Sequence, residues 1–145
     1  ISLYGISASV SEAKKLQPVS SLKTTILQIR DVPAGDSIGY SRKTYAQRDL
    51  RVAILPIGYA DGLDRHLSNG VGEVAINGTR CPIVGNICMD ICMVDVTDAD
   101  AQEGDTAIIF GPQLPVTEIA DKLDTIPYEI LTSISPRVKR IYYRE

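Results

Sequence analysis

One Asn-Gly pair constrains the fold of this chain more than any other local feature. Asn77-Gly78 lies between two runs of strand-forming residues, Glu73 to Ile76 and Thr79 to Val84. Asn-Gly is favoured in two-residue type I′ turns, because both central positions of such a turn take positive φ. The sequence therefore predicts a β-hairpin across residues 73–84.

Further short strands, separated by turn residues, are predicted along most of the chain. Such spacing is typical of an antiparallel sandwich or barrel. The candidate strands are Leu22 to Val32, a segment holding Ile38, Tyr40 and Tyr45, Arg51 to Ile57, Ile91 to Val96, Thr106 to Phe110, and Arg137 to Tyr143.

Short helices are predicted at three places. One covers Ser11 to Leu16, a second is capped by Thr117, and a third has Pro127 in its first turn. We therefore predict one mainly β domain over residues 1–145, an antiparallel barrel that is closed or nearly closed, with small peripheral helices.

Composition excludes several classes of function. The 145 residues carry a formal net charge of −3, which argues against a nucleic-acid partner. No segment approaches the ~18 apolar residues of a membrane-spanning helix. Three cysteines without a secretory signal indicate reduced thiols in a cytoplasmic protein. Cys88 and Cys92 lack a second pair of Cys or His ligands, so we predict no metal site.

Two segments and an excess of tyrosine are the candidate functional features. The chain has seven Tyr, one Phe and no Trp, and each Tyr hydroxyl needs a hydrogen-bond partner when buried. Residues 57–62 and 85–90 place bulky or polar residues among small ones at strand ends. Their glycines allow close approach of a ligand, or they serve turn formation alone. The residues by themselves leave both interpretations open.

Six segments in the same order carry a resemblance to a known family. The chain resembles the C-terminal domain of alanine racemase over nearly its whole length. The segments are Ile-Ser-Leu-Tyr-Gly at 1–5, Val-Pro-Ala-Gly-Asp and Ile-Gly-Tyr within 32–40, Pro-Ile-Gly-Tyr-Ala-Asp-Gly at 56–62, Val-Gly-Asn-Ile-Cys-Met-Asp at 84–90, Val-Asp-Val-Thr at 94–97, and Tyr-Glu-Ile-Leu with Ser-Pro-Arg-Val within 128–138.

The resemblance implies a pyridoxal 5′-phosphate enzyme that interconverts L- and D-alanine for peptidoglycan synthesis. It also implies an N-terminal (β/α)₈ barrel, not contained in this chain, whose lysine holds the cofactor. In the family the β domain packs across a homodimer into the partner's active site, so we expect the isolated chain to be inactive. The chain starts at Ile1 and not at Met, which we interpret as part of a longer polypeptide. The parent protein is either a stand-alone racemase or a fusion with a cell-wall ligase.

Tyr40 matches the family's catalytic tyrosine. A racemase needs acid–base groups on both faces of the substrate Cα, and in the family this tyrosine faces the cofactor lysine across that carbon. The ordinary pKa of a tyrosine side chain is near 10, so its ionisation at pH 7 costs about 4 kcal/mol unless a cation stabilises the phenolate.

Five further positions are assigned through the resemblance. The backbone N–H of Met89 matches the group that binds the substrate carboxylate. Tyr59 matches the inner gate of the substrate entrance, and Asp90 an acidic position in that entrance. Tyr128 and the backbone of Ile1 match contacts to the cofactor phosphate.

Two alternatives remain open. A decarboxylase of a basic amino acid also pairs a barrel with a β domain, although Cys-Met-Asp at 88–90 is unlike that group's usual acidic signature. A non-catalytic β-barrel module that binds a partner protein would explain the small size of the chain. This second alternative predicts that the tyrosine hydroxyls can be removed without chemical consequence.

Overall fold

Nine β-strands and two short α-helices form the regular structure of the computed structural model, which describes residues 4–7, 16–39, 42 and 44–143. The helix predicted from Ser11 falls almost entirely outside these residues, as do the site residues Ile1 and Tyr40. The strands are β1 (Leu22–Thr25), β2 (Gln28–Val32), β3 (Ser37–Ile38), β4 (Thr44–Tyr45), β5 (Leu50–Leu55), β6 (Glu73–Ile76), β7 (Thr79–Val84), β8 (Cys92–Asp95) and β9 (Thr106–Phe110).

Seven strands form one antiparallel sheet in the order β1-β9-β6-β7-β8-β5-β2, and β3 pairs with β4 separately. The two ends of this order, β1 and β2, are consecutive in the chain. The N–H of Ile26 donates to the Asp105 carbonyl oxygen at 2.9 Å, whereas the N–H of Leu27 donates to that of Ile54 at 2.9 Å. Neighbouring residues thus bond to opposite ends of the sheet, which curls until those ends converge. The antiparallel, barrel-like prediction is confirmed.

The strand predicted from Leu22 to Val32 is two strands separated by this corner. Ile26 is buried in the interior, whereas Leu27 is exposed. The β-branched residues favour extended backbone on both sides of the corner, so the composition gives no sign of the change of partner strand.

The predicted hairpin is confirmed with its predicted bounds. β6 pairs with β7 from Glu73↔Pro82 to Ile76↔Thr79. Asn77 has φ 47° and Gly78 φ 81°, the positive values that the turn requires.

Apolar residues divide into two buried clusters. The larger fills the inside of the curled sheet and includes Leu55, Val74, Ile83 and Val94. The smaller comprises Ile38, Ala46, Leu50 and Val52, with Val32, Val84 and Met93 packed against it. The smaller cluster fastens the β3–β4 hairpin to the sheet.

The predicted strand with Ile38, Tyr40 and Tyr45 is wrong as a single strand. Ile38 lies in β3 and Tyr45 in β4, and the two strands pair with Ile38 opposite Thr44. Gly39, with φ 85°, ends β3 in a backbone conformation that side chains disfavour. In the sequence, position 40 lies between β3 and β4, and the smaller cluster holds Ile38 of β3 and Ala46, the residue after β4.

The helices near the end are α1 (Val116–Lys122) and α2 (Pro127–Ser133). Pro127 occupies the first turn of α2 as predicted. Thr117 does not cap α1, because Pro115 precedes the helix and no side chain caps it. None of the helices in the described ranges combines the length and the apolar character needed to cross a membrane.

The final strand predicted from Arg137 to Tyr143 is wrong. The Arg140 guanidinium donates to the carbonyl oxygens of Ile134, Ser135 and Val138 at 3.0 to 3.3 Å. These bonds turn the segment back on the end of α2, so it does not run beside a strand.

Candidate active site

Two loops leave the sheet at the same edge. The first loop comprises residues 57–62 after β5, and the second comprises residues 85–90 after β7. Both β5 and β7 are antiparallel neighbours of β8, so they run parallel to each other. The carboxyl ends of two parallel strands lie at one edge of a sheet, which brings the first and second loops together.

Backbone hydrogen bonds join the two loops directly. The Tyr59 N–H donates to the Cys88 carbonyl oxygen and the Ala60 N–H to that of Met89, both at 3.0 Å. A Cβ on Gly58 would lie 2.2 Å from the Cys88 oxygen and 2.3 Å from the Met89 oxygen. This close approach explains the glycine, since any side chain at position 58 would separate the loops.

The Met89 N–H is a backbone donor oriented by these bonds. It belongs to the same peptide unit as the Cys88 carbonyl that accepts from Tyr59. In a planar trans peptide the N–H points away from the carbonyl, so the Met89 N–H is directed away from the first loop. Within the described part of the chain it donates to no other group. Met89 is 54% exposed and Tyr59 45% exposed, so both residues lie at the surface of the domain.

A charged cluster lies across the same loops. The Arg137 Nε donates to Asp61 Oδ1 at 2.7 Å, and its Nη2 donates to Asp90 Oδ1 at 2.6 Å. The other oxygen of Asp61, Oδ2, accepts from the Gly58 N–H at 2.8 Å. One guanidinium thus connects a carboxylate of the first loop to a carboxylate of the second.

Asp61 and Arg137 of this cluster keep their charges near neutral pH. Burial favours a higher pKa for Asp61, but the hydrogen bonds from Arg137 and Gly58 and the Arg137 charge outweigh it, so its pKa lies below the usual 3.8. The hydrogen bonds to Asp61 and Asp90 raise the pKa of Arg137. Sequence reasoning missed Arg137, although its Ser-Pro-Arg-Val segment was among those that carried the resemblance.

Three of the sequence-predicted residues come together here. Tyr59 lies in a single 3₁₀ turn of the first loop (Tyr59–Asp61), while Met89 and Asp90 end the second loop. Tyr40 and Ile1 lie outside the described residues, so their predicted roles stay predictions.

Tyr128 lies near the start of α2, a helix whose other end packs on the first loop. Its ring meets that of Tyr4 edge to face, with centroids 5.7 Å apart and planes at 65°. At the far end of α2, a Cβ on Gly62 would lie 2.6 Å from the Ser133 carbonyl oxygen. The helix therefore joins Tyr128 to the first loop at a separation of about 8 Å along its axis.

A polar chain connects the hairpin that brackets position 40 to the second loop. The Thr44 hydroxyl donates to Asn69 Oδ1 at 3.0 Å, and Asn69 Nδ2 donates to Asn86 Oδ1 at 2.9 Å. The Asn69 N–H also donates to the Gly85 carbonyl oxygen at 3.0 Å. Asn69 thereby fixes the hairpin relative to the loop that carries Met89.

Comparison with known proteins identifies a family for this chain. Residues 19–142 match the sequence profile of the alanine racemase C-terminal domain. "Alanine racemase 2" of Caldanaerobacter subterraneus subsp. tengcongensis is 46% identical over 98% of this chain and 38% of its own length.

Solved structures show the same fold. The alanine racemase of Bartonella henselae, with covalently bound pyridoxal phosphate, matches with a TM-score of 0.92 at 41% identity, covering 98% of this chain and 40% of that one. The enzyme of Bacillus anthracis with bound L-Ala-P matches with a TM-score of 0.89 at 38% identity, covering 99% and 38%.

The chain spans about two fifths of the length of the relatives it matches, 38% to 40% in the examples above. The match nevertheless covers almost the whole of this chain, with identity above a third. The chain therefore belongs to the alanine racemase family, in which it corresponds to the C-terminal domain.

Proposed function

We propose that the protein containing this chain is a pyridoxal 5′-phosphate-dependent isomerase that interconverts L- and D-alanine for peptidoglycan synthesis. The observation that carries the proposal is the Met89 N–H, an oriented backbone donor on an accessible surface. The names of the relatives supply the reaction, and the two loops supply a place where this chain would hold the substrate.

In this proposal the Met89 N–H donates to the carboxylate of alanine. A backbone donor suits the role, because the thioether of Met89 is at most a weak acceptor. Tyr59 and Asp90 belong to the two joined loops, and we assign them to the entrance through which substrate reaches this donor. The bonds from Tyr59 and Ala60 keep the donor in one orientation before substrate arrives, which reduces the ordering that binding requires.

Tyr40 is proposed to move the proton on one face of the substrate Cα. Its hairpin is anchored to the second loop through Asn69, so this base and the carboxylate donor would share one rigid support. Two-sided proton transfer needs a second group opposite Tyr40. We assign that group, and the cation that would favour a phenolate, to the N-terminal barrel.

Tyr128 fits the phosphate end of the cofactor. Among the described residues its hydroxyl takes part in no hydrogen bond, while its ring is held against Tyr4. A phenol in this state can donate to a phosphate oxygen. The backbone of Ile1 is proposed as a second phosphate contact. When bound, pyridoxal phosphate supplies the electron sink that acidifies the Cα–H of the amino acid.

The proposal includes partners and a location. The barrel of the same polypeptide would supply the cofactor lysine, and the β domain would complete the active site of the second subunit in a homodimer. The described cysteines are free thiols, which is compatible with a cytoplasmic location. No observation favours the decarboxylase or the binding module over this function.

Substitution of Tyr40 in the full-length protein tests the proposal. Tyr40→Phe should lower kcat for racemisation by about a thousandfold, because a positioned acid–base group contributes on that order. The absorbance of the bound cofactor should stay unchanged. Tyr45→Phe is the matched control, since Tyr45 is an exposed tyrosine on the same hairpin. Turnover of the Tyr40 variant close to that of the control would overturn the proposed role and favour the binding module.

A further inference from the structure

Arg137 lies at the end of the chain but contacts both loops. Its two carboxylate partners are 76 and 47 residues away in sequence. Among the described ion pairs this is the arginine that joins the two loops. The role derived below rests on the proposed function, because it concerns how Met89 binds a carboxylate.

Asp90 creates an electrostatic problem for that binding. Its carboxylate follows Met89 directly in sequence, so a substrate carboxylate on the Met89 N–H would approach a like charge. Asp61 shares Arg137 with Asp90 and so adds a second negative charge to the same cluster. Two nearby carboxylates disfavour binding of a third unless a cation compensates them.

Arg137 is positioned to provide the compensation. Its hydrogen bonds at 2.7 Å and 2.6 Å reach one oxygen of each carboxylate. Charge-assisted bonds of this length are the strong class of protein hydrogen bond. Asp61 is 13% exposed and Asp90 is 60% exposed, so Arg137 connects a largely buried anion to a solvent-facing one.

We propose that Arg137 is a positioning residue that offsets one of the two negative charges of Asp90 and Asp61, and so permits the N–H of Met89, the neighbour of Asp90, to bind the substrate carboxylate. Arg137 itself does not contact substrate in this proposal. Its guanidinium is already directed at the two aspartates, and through them it holds the first and second loops together.

The first test is Arg137→Ala in the full-length holoenzyme. KM for alanine should rise about tenfold in both directions, while kcat stays within about twofold, because binding loses a compensating charge and the reacting groups are unchanged. Binding of propionate, which has the carboxylate but no amino group, should weaken by a similar factor in calorimetry. Raising the ionic strength should reduce the defect, since screening weakens repulsion between exposed charges.

Arg80→Ala is the matched control. Arg80 also bonds a carboxylate, Glu118, and has a second one, Glu73, at 3.9 Å. Its side chain is 42% exposed, close to the 47% of Arg137. Arg80 and both of its partners lie outside the first and second loops, so its loss should leave KM and propionate binding unchanged. Equal changes in both variants would reduce Arg137 to a general stabilising role and overturn the proposal.

The second test is charge rescue. Adding Asp90→Asn to Arg137→Ala returns the net charge of the cluster to that of the unsubstituted protein and should recover most of the lost affinity for propionate. Failure of this rescue, together with a KM defect that salt does not reduce, would indicate that Arg137 contacts substrate directly and would overturn the compensation.

Racemisation by the unsubstituted protein is measured first. Its absence would overturn the proposed function itself, whereas an active protein with an unaltered Arg137→Ala variant would overturn this inference alone.

Discussion

Two arginines in this domain bind carboxylates in different structural settings. Arg80 extends from β7 to Glu118 of α1, with the Nη2–Oε1 bond at 3.0 Å, and approaches Glu73 of β6. Arg137 connects Asp61 to Asp90, and both of its partners lie in loops. The two side chains are similarly exposed, so burial does not distinguish them.

The difference lies in what else holds the partners together. β6 and β7 are joined by a ladder of four residue pairs, and α1 packs on the core through Ile119 and Ala120. An exposed ion pair adds little to such elements. The first and second loops share two backbone bonds, from Tyr59 and Ala60. The same chemistry therefore has structural consequences mainly where regular secondary structure is absent.

Among these predictions, Gly58→Ala should destabilise the protein most, because it lies at the contact between the two loops. A Cβ 2.2 Å from the Cys88 oxygen forces the two loops apart, and we expect a loss of about 3 kcal/mol in the free energy of unfolding in urea. Gly78→Ala, in the hairpin, is the control. A Cβ there meets nothing within 4 Å, so only the cost of its positive φ applies, about 1 kcal/mol. Equal losses at both glycines would contradict the tight contact between the loops.

The pH dependence of stability should differ between the ion pairs of Arg137 and Arg80, by less than the two glycine substitutions differ. Folded Asp61 has a pKa below its unfolded value of 3.8, so it stabilises the fold above that pH and the stabilisation disappears as pH falls through the folded pKa. Asp61→Asn should therefore lower the thermal midpoint at pH 7, and the difference from the unsubstituted protein should shrink below pH about 4.

Glu118→Gln supplies the comparison for this titration. The hydrogen bond from Arg80 also lowers the pKa of Glu118, but Glu118 is more exposed, at 37% against 13% for Asp61. Its substitution should give the same sign and a smaller change, because solvent screens exposed pairs. A larger change in the thermal midpoint for Glu118→Gln than for Asp61→Asn would mean that the Arg80 pair, and not the Arg137 pair, contributes more to stability.

The smallest expected effect is a difference in the rate of cysteine labelling. Cys88 in the second loop should react faster than Cys81 and Cys92 in the sheet. Burial raises the pKa of Cys81 in β7 to about 11 and that of Cys92 in β8 to about 12. Cys88, in the second loop, is only partly buried. Because the thiolate is the reactive form, iodoacetamide at pH 8 should label Cys88 first, as peptide mass spectrometry would show. Labelling of Cys92 ahead of Cys88 would mean that the sheet opens more readily than the loop.

The sequence by itself determined those features that depend on neighbouring residues. Asn77-Gly78 specified its hairpin, because positive φ at two adjacent positions is a local requirement. Pro127 marked the start of α2 for a similar reason. The ordered segments led to the family, since short motifs keep their meaning without knowledge of long-range contacts.

Only the tertiary structure decided which distant residues meet. The corner at Ile26 and Leu27 depends on hydrogen bonds to Asp105 and Ile54, so no local pattern could predict it. Arg137 was expected in a final strand, yet it pairs with carboxylates 76 and 47 residues away. The physical reason is that backbone preferences act between neighbours, whereas strand pairing and charge pairing depend on where the folded chain brings distant groups together.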